Sequence, residues 1–186
     1  MRNMPKQVKR RYGSFVRGII DCTEIVVATS GNFKGRSATW SNYKHNNTLK
    51  CLVAISPNGG ITFVSRFYGG RTSDNVITRR SGFLDMLEPM DVILADRGFT
   101  LNDEFTFRYC KLVTPAFTRG KKQLSAREVE ETRQLANIRI HVERAMERIK
   151  NFRILSDKVS MSLVPYVDNI IPIVCALSNL MNPLIK

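Results

Sequence analysis

Acidic side chains are scarce in this chain: 16 Asp and Glu stand against 29 Lys and Arg, leaving a net charge of +13. A surface of that sign condenses onto polyanions, and nucleic acid is the leading partner of this kind. An anionic membrane is the weaker alternative, because no basic amphipathic helix stands apart from the rest of the chain. Histidine is limited to two residues, and the four cysteines (Cys22, Cys51, Cys110, Cys175) form no CxxC pair. These shortages disfavour a zinc site and point to free cysteines serving as small buried apolar residues in a reducing compartment. The opening "MRNMPKQVKRRYG" is charged but lacks the apolar segment of a signal peptide. The longest uncharged run, Asn169–Ile185, is short for a membrane span and is interrupted by Pro172, Asn179 and Pro183. It is expected to form a buried terminal helix, with no transmembrane segment.

Several catalytic signatures are missing as well. No G-x-S-x-G is present, and neither His45 nor His141 has an evident nucleophile beside it. "GGRTSDN" is neither a phosphate-cradling P-loop nor a G-x-G-x-x-G turn. A strand-tip aspartyl nucleophile of the haloacid dehalogenase kind needs D-x-D-x-T, whereas this chain reads Asp21-Cys22-Thr23-Glu24 and lacks the second aspartate.

What remains is enough apolar material, 43% of residues, for the core of a single domain. Residues 1–18 carry six basic side chains (Arg2, Lys6, Lys9, Arg10, Arg11, Arg17) and no acid, which reads either as a solvated tail or as a phosphate-binding arm. Strand-like runs follow at 18–28, 47–56 and 60–68, the last two joined by "PNGG", a hairpin signal. A helical stretch is expected from Ser73 to about Leu87, ended by Glu88-Pro89. "DVILADRGF" is apolar without alternation, the pattern of a strand buried on both faces. "LNDEFTFRY" predicts a short helix and "KLVTPAF" a last strand. Ser125 and Glu128 form a capping box, and Leu135, Ile138, Val142, Ala145 and Ile149 recur at helical spacing to near Phe152. The order predicts an α/β layer fold with a mixed five-stranded sheet flanked by helices, since "PNGG" is too short for a parallel crossover.

Three acids occupy places where charge is costly. Asp21 lies inside the apolar strand "IIDCTEI", Asp96 tips the buried strand "VILAD", and Glu143 follows Val142 beside the core face of the long helix. A divalent metal compensates such carboxylates well: Mg²⁺ prefers hard oxygen donors, and a pair of ions can drive phosphodiester cleavage. The acids can meet only if the first and fourth strands are neighbours and the long helix crosses their ends. Each segment also admits a plainer reading. Asp96 can be a turn acid paired with Arg97, and Glu143 an i,i+4 partner of Arg139 worth roughly 0.3–0.5 kcal/mol. Asp21 is the hardest to explain in that way. Trp40 and Tyr43, beside Lys44, can stack on a displaced base, although the core is the more natural place for Trp40.

"IIDCTEI", "TWSNYKHNNTLK", "GGRTSDNVITRRSGFLDML", "DVILADRGF" and "PAFTRGKKQLSAREVEETRQLANIRIHVERAMERIKNFRIL" occur in that order. Together they resemble the DDE superfamily endonuclease domain of PIF/Harbinger-type transposases and their domesticated relatives, over residues 19 to 181. The resemblance implies a ribonuclease-H-like fold for residues 19–186, behind a basic N-terminal arm at 1–18. It implies a nuclease that acts on DNA with Mg²⁺ or Mn²⁺, whose catalytic and metal-ligating acids fall on Asp21, Asp96 and Glu143. Asp74, after the "GG" loop, would cap its helix and support a ligand rather than bind metal itself. Arg119, Lys121 and Lys122 of "TRGKK", with Arg144 and Arg148, could track the DNA backbone or simply face solvent. Such transposases usually carry a recognition domain upstream, so a separate DNA-recognition protein or domain is an expected partner. A homo-oligomer and a nuclear location, with cytoplasm as a second compartment, complete the expectation. The competing expectation is an inactive transposase-derived module that binds DNA or protein.

Overall fold

A computed structural model describes residues 13, 15–116, 123 and 125–184. Aliphatic and β-branched residues from Val16 to Val26 form the central strand β1 (Val16–Val26). The helix α1 (Phe33–Thr39) and the two-residue strand β2 (Trp40–Ser41) lead into β3 (Asn46–Ile55), which lies antiparallel to β1 from Ile19↔Ile55 to Val26↔Thr48. The turn after β3 is the expected hairpin. Gly59 supplies a φ of 88°, and the Ser56 and Gly60 backbones close the loop at 2.8 Å.

Beyond it, one strand was expected over 60–68, but two short ones form, β4 (Ile61–Val64) and β5 (Tyr68–Gly69), both paired with β3. Ser65 separates them. Its buried hydroxyl accepts the Leu52 N–H at 2.9 Å and donates to the Arg66 carbonyl at 2.7 Å, so a side chain takes over ladder bonds there.

Ser73 caps α2 (Asp74–Arg80) by accepting from Val76 N–H. The expected single helix to Leu87 breaks at Gly82, whose φ of 79° ends the α-helical path, and a 3₁₀ turn covers Phe83–Met86. Strand β6 (Val92–Leu94) pairs in parallel with β1 on one side and with β7 (Lys111–Val113) on the other; α3 (Asn102–Phe107) lies between them in sequence. The long helix α4 (Ala126–Lys150) begins at the capping box of Ser125 and Glu128, and is followed by α5 (Arg153–Ser156) and α6 (Val167–Asn179).

The sheet runs β2–β3–β1–β6–β7, with β4 and β5 also bound to β3. It is the mixed α/β sheet read from the sequence, antiparallel first and parallel afterwards, and compatible with a ribonuclease-H-like fold. It has seven strands where five were expected, because β2 adds an edge and the 60–68 run divides in two. Each face is covered. Ile19, Val53 and Leu94 meet Leu135, Val142 and Ile149 of α4 and Val167, Ile171 and Val174 of α6. Ile20, Leu52 and Ile93 meet Ile77, Phe83 and Phe105 on the other side. Burying each such side chain contributes about 1.5–3 kcal/mol.

Three expectations need correction. The terminal run is buried on one face only: Ile173, Leu177, Leu180 and Met181 are exposed, and Pro172 sits inside α6, forgoing one backbone bond instead of ending the helix. Trp40 is on an edge strand, half-exposed, rather than in the core. Arg17, assigned to the basic arm, lies within β1 and pairs with Glu88 and Asp91 at 3.4 and 3.3 Å. The other arm cations, Arg2, Lys6, Lys9, Arg10 and Arg11, lie outside the described residues. Cys51, Cys110 and Cys175 are buried, Cys22 is partly so, and all four thiols are free, as expected. Among the described residues, no helix is long and apolar enough to cross a membrane.

Gly69 marks where α1 and β2 close over the sheet. A Cβ there would collide with the Ala38 carbonyl. Gly69→Ala is expected to cost about 1–2 kcal/mol of stability, read as a lower midpoint in urea unfolding at unchanged slope.

Candidate active site

The register of two parallel strands places the first two acids. Ile19 of β1 is level with Leu94 of β6, and both face α4. Asp21 and Asp96 each lie two residues further on. With side chains alternating and strands about 4.8 Å apart, both acids emerge on that same face, Asp96 just past the carboxyl end of β6 and Asp21 midway along β1. The neighbour relation required of the first and fourth strands is therefore present.

Helix α4 crosses above them. Val142 is fully buried against the sheet, and next to it Glu143 points outward with 59% of its side chain exposed. One turn earlier, Arg139 reaches down between the acids. Its Nη1 donates to Asp96 Oδ1 at 3.1 Å and its Nη2 to Asp21 Oδ2 at 3.4 Å, while Glu143 Oε1 lies 3.9 Å from Nη2. All three acids thus gather on one guanidinium. The plainer reading of Glu143, an i,i+4 contact with Arg139, is present as the longest of the three. Asp96 makes its ion pair with Arg139, and the neighbouring Arg97 is exposed.

Asp21 is the most enclosed of the acids. Burial pushes its carboxyl up to about 6, against the opposing pull of Arg139 and of the Cys22 N–H, which donates to Asp21 Oδ1 at 2.8 Å; Asp96 and Asp74 push it further up.

Asp74 belongs to a different group. It is the first residue of α2 rather than its cap, which Ser73 provides, because Asp74 already has helical backbone geometry. Its carboxylate takes the Lys50 ammonium at 3.3 Å, and Lys50 also pairs with Glu24 at 3.4 Å, its cross-strand neighbour. Glu24 in turn accepts the Thr48 hydroxyl at 2.8 Å. Burial works against the charged Lys50, but Asp74 and Glu24 outweigh it and hold its pKa above the ordinary lysine value. Lys50 and Glu24 alternate out of phase with Asp21, so this triad projects from the opposite face of the sheet.

The basic residues divide too. Arg119, Lys121 and Lys122 lie outside the described residues. Arg144 is exposed, and Arg148 lines a recess with Asn58, Gly60 and Asn179 on the far flank of α4 from Glu143. Arg139 is the cation that touches the acids, and Lys150 is a further one that the sequence did not single out. Lys150, at the end of α4, has its pKa lowered by burial and by Lys44, opposed by Cys51, Glu24 and Asp21. Trp40 and Tyr43 are exposed, with the Lys44 ammonium 4.9 Å above the Tyr43 ring.

Among the described residues, no three acid, histidine or cysteine side chains are spaced to hold a metal ion as they stand. In kind, the donor set fits Mg²⁺ or Mn²⁺: three hard carboxylates face one guanidinium, a formal deficit of two positive charges. Residues 20–179 match the family model for the DDE superfamily endonuclease. The chain belongs to that family. No curated protein and no solved structure matches it. In this DDE endonuclease, the family match runs from within β1 to the end of α6 and includes Asp21, Asp96 and Glu143.

Proposed function

We propose that this DDE endonuclease is a divalent-metal-dependent DNA nuclease of transposase descent, of the PIF/Harbinger kind, with Asp21, Asp96 and Glu143 as catalytic and metal-ligating residues. The observation that carries the reading is the convergence of those three carboxylates, from two parallel strands and a crossing helix, on a single cationic group. When bound, Mg²⁺ or Mn²⁺ would activate the attacking water or 3′-hydroxyl and stabilise the leaving oxygen. The chain's own part is placement. Asp21, within β1, supplies the enclosed wall of the site, and Asp96 the more exposed oxygen at the strand tip. Glu143 closes the site from α4, where its exposure leaves room for a phosphodiester. Lys50 pairs with Asp74 and Glu24 on the opposite face and offsets part of the negative charge behind the site. The net charge of +13 supports DNA as the partner, and Trp40, Tyr43 and Lys44 offer a stacking surface for an unpaired base. A DNA substrate puts this work in the nucleus, with target recognition assigned to a separate protein or domain.

A second reading, a module that binds DNA without cutting it, draws on the ion pairs that tie the acids to Arg139. Supercoiled plasmid separates the two. The nuclease converts it to nicked circles in Mn²⁺ or Mg²⁺ and not in chelator. A binding module shifts the plasmid in a gel equally with or without metal and leaves it supercoiled.

A further inference from the structure

We propose that Arg139 is a resident counter-ion of the carboxylate site, holding the three acids together in the metal-free protein and yielding its place when a divalent cation binds. The inference rests on the metal-dependent reading above. One guanidinium touches Asp96 and Asp21 and stands near Glu143, so it occupies the ground those carboxylates share.

Its bonds are those of a poor permanent partner. Charge-assisted N–H···O bonds run at about 2.7–2.9 Å, and an arginine committed to one acid uses its planar fork on both oxygens. Here the contacts are 3.1 and 3.4 Å, split between two carboxylates, and the buried Nε has no hydrogen-bond partner. A single positive charge also leaves two of the three negative charges unmatched. Like charges repel strongly at contact distance, so a cation entering this ground must move the guanidinium. The way out lies past Asp96 and Glu143, which are 45% and 59% exposed, whereas Arg139 is 16% exposed. The device keeps the site formed when metal is absent, and it weakens metal binding by the ion pairs that must break.

Calorimetric titration of the purified protein with Mn²⁺ and with Ca²⁺, alongside thermal melting in chelator, tests this. Arg139→Gln is expected to bind Mn²⁺ roughly tenfold more tightly than wild type, since no competing charge remains. Arg139→Lys, which keeps the charge, should stay close to wild type. Metal-free Arg139→Gln should melt below wild type, with Mn²⁺ restoring it. Equal or weaker Mn²⁺ binding by Arg139→Gln overturns the inference. Asp21→Asn and Asp96→Asn separate this from the parent reading: if they bind Mn²⁺ as wild type does, the metal site itself is misplaced and both ideas fall. If they lose binding while Arg139→Gln gains nothing, only the role of Arg139 falls. Should Arg139→Gln not fold, the Arg139 Nε–Hε resonance of wild type, followed by NMR through a Mg²⁺ titration, decides instead. A shift in step with binding supports displacement, and an unmoved resonance in the saturated protein overturns it.

Discussion

Asp96→Ala is expected to abolish metal-dependent nicking of supercoiled plasmid, a loss of at least about 10³-fold, while DNA binding survives. The size follows from what a lost carboxylate removes: several kcal/mol of charge stabilisation around the reacting phosphodiester, at about 1.4 kcal/mol per factor of ten. Asp96 is the right residue for this test because little else depends on it. It stands one residue beyond the buried Ala95, 45% exposed, and its side-chain contact is with Arg139. Truncating it leaves no cavity in either face of the core, so a dead variant cannot be blamed on an unfolded one. Removing a negative charge from a surface that meets phosphate should leave DNA affinity intact or raise it, with the same steep decline as salt increases. Nicking assays in Mn²⁺, paired with gel-shift titrations at two salt concentrations, read both quantities. Cleavage that persists at a wild-type rate would sink the assignment of this strand tip to the chemistry.

Much of the frame around Asp96 was legible in sequence because it rests on local signals. The unalternating run 92–95 required a strand buried on both faces, and β6 lies between β1 and β7. The hairpin at 57–60 fixed β3 and β4 as antiparallel, and the Ser125–Glu128 box fixed the start of α4. Glu143 followed from its place beside Val142.

The parts that escaped depend on contacts between distant segments. Arg139 was visible only as the i,i+4 neighbour of Glu143, whereas its closer partners are reached across the gap between helix and sheet. The Lys50 triad arises from the β1–β3 register, which pairs Glu24 with Lys50, and no local pattern at Asp74 announces it. Ser73 and Asp74 are both good capping residues, so composition could not choose between them. Arg144 and Arg148 were separable from the acid face in principle. At 100° per residue, they lie about 100° and 140° round the helix from Glu143, toward the flank where Arg148 meets the 58–60 turn. Trp40 escaped because hydrophobicity alone does not show that a segment pairs only at a sheet edge.

Asp21→Asn should make the metal-free protein more stable, by up to about 3 kcal/mol at pH 7.5, in the same experiment that shows it inactive. The carboxyl has a folded pKa of about 6 against an ordinary value of 3.8. Raising a carboxyl pKa means that the folded state holds its proton more firmly than the unfolded state does. Well below pH 3.8 both states are protonated and Asp21 imposes no penalty. Between pH 4 and 6 the unfolded chain ionises first, and stability falls as pH rises; above about 6 the penalty is full and constant, near 1.4 kcal/mol per unit of difference. Asparagine retains an oxygen for the Cys22 N–H and carries no charge to desolvate. Its advantage over wild type should therefore be greatest above pH 7 and shrink towards zero well below pH 3.8. In a chain of this length, that is a rise of roughly 5–10 °C in Tm at neutral pH, measured in chelator. Saturating Mn²⁺ should reverse the order, because wild type gains the free energy of binding and the variant does not. A variant that melts below wild type in chelator at pH 7.5 would show that Arg139 and the Cys22 amide more than offset the burial of Asp21. The acid would then be a structural ion-pair partner rather than a charge held at a cost for chemistry.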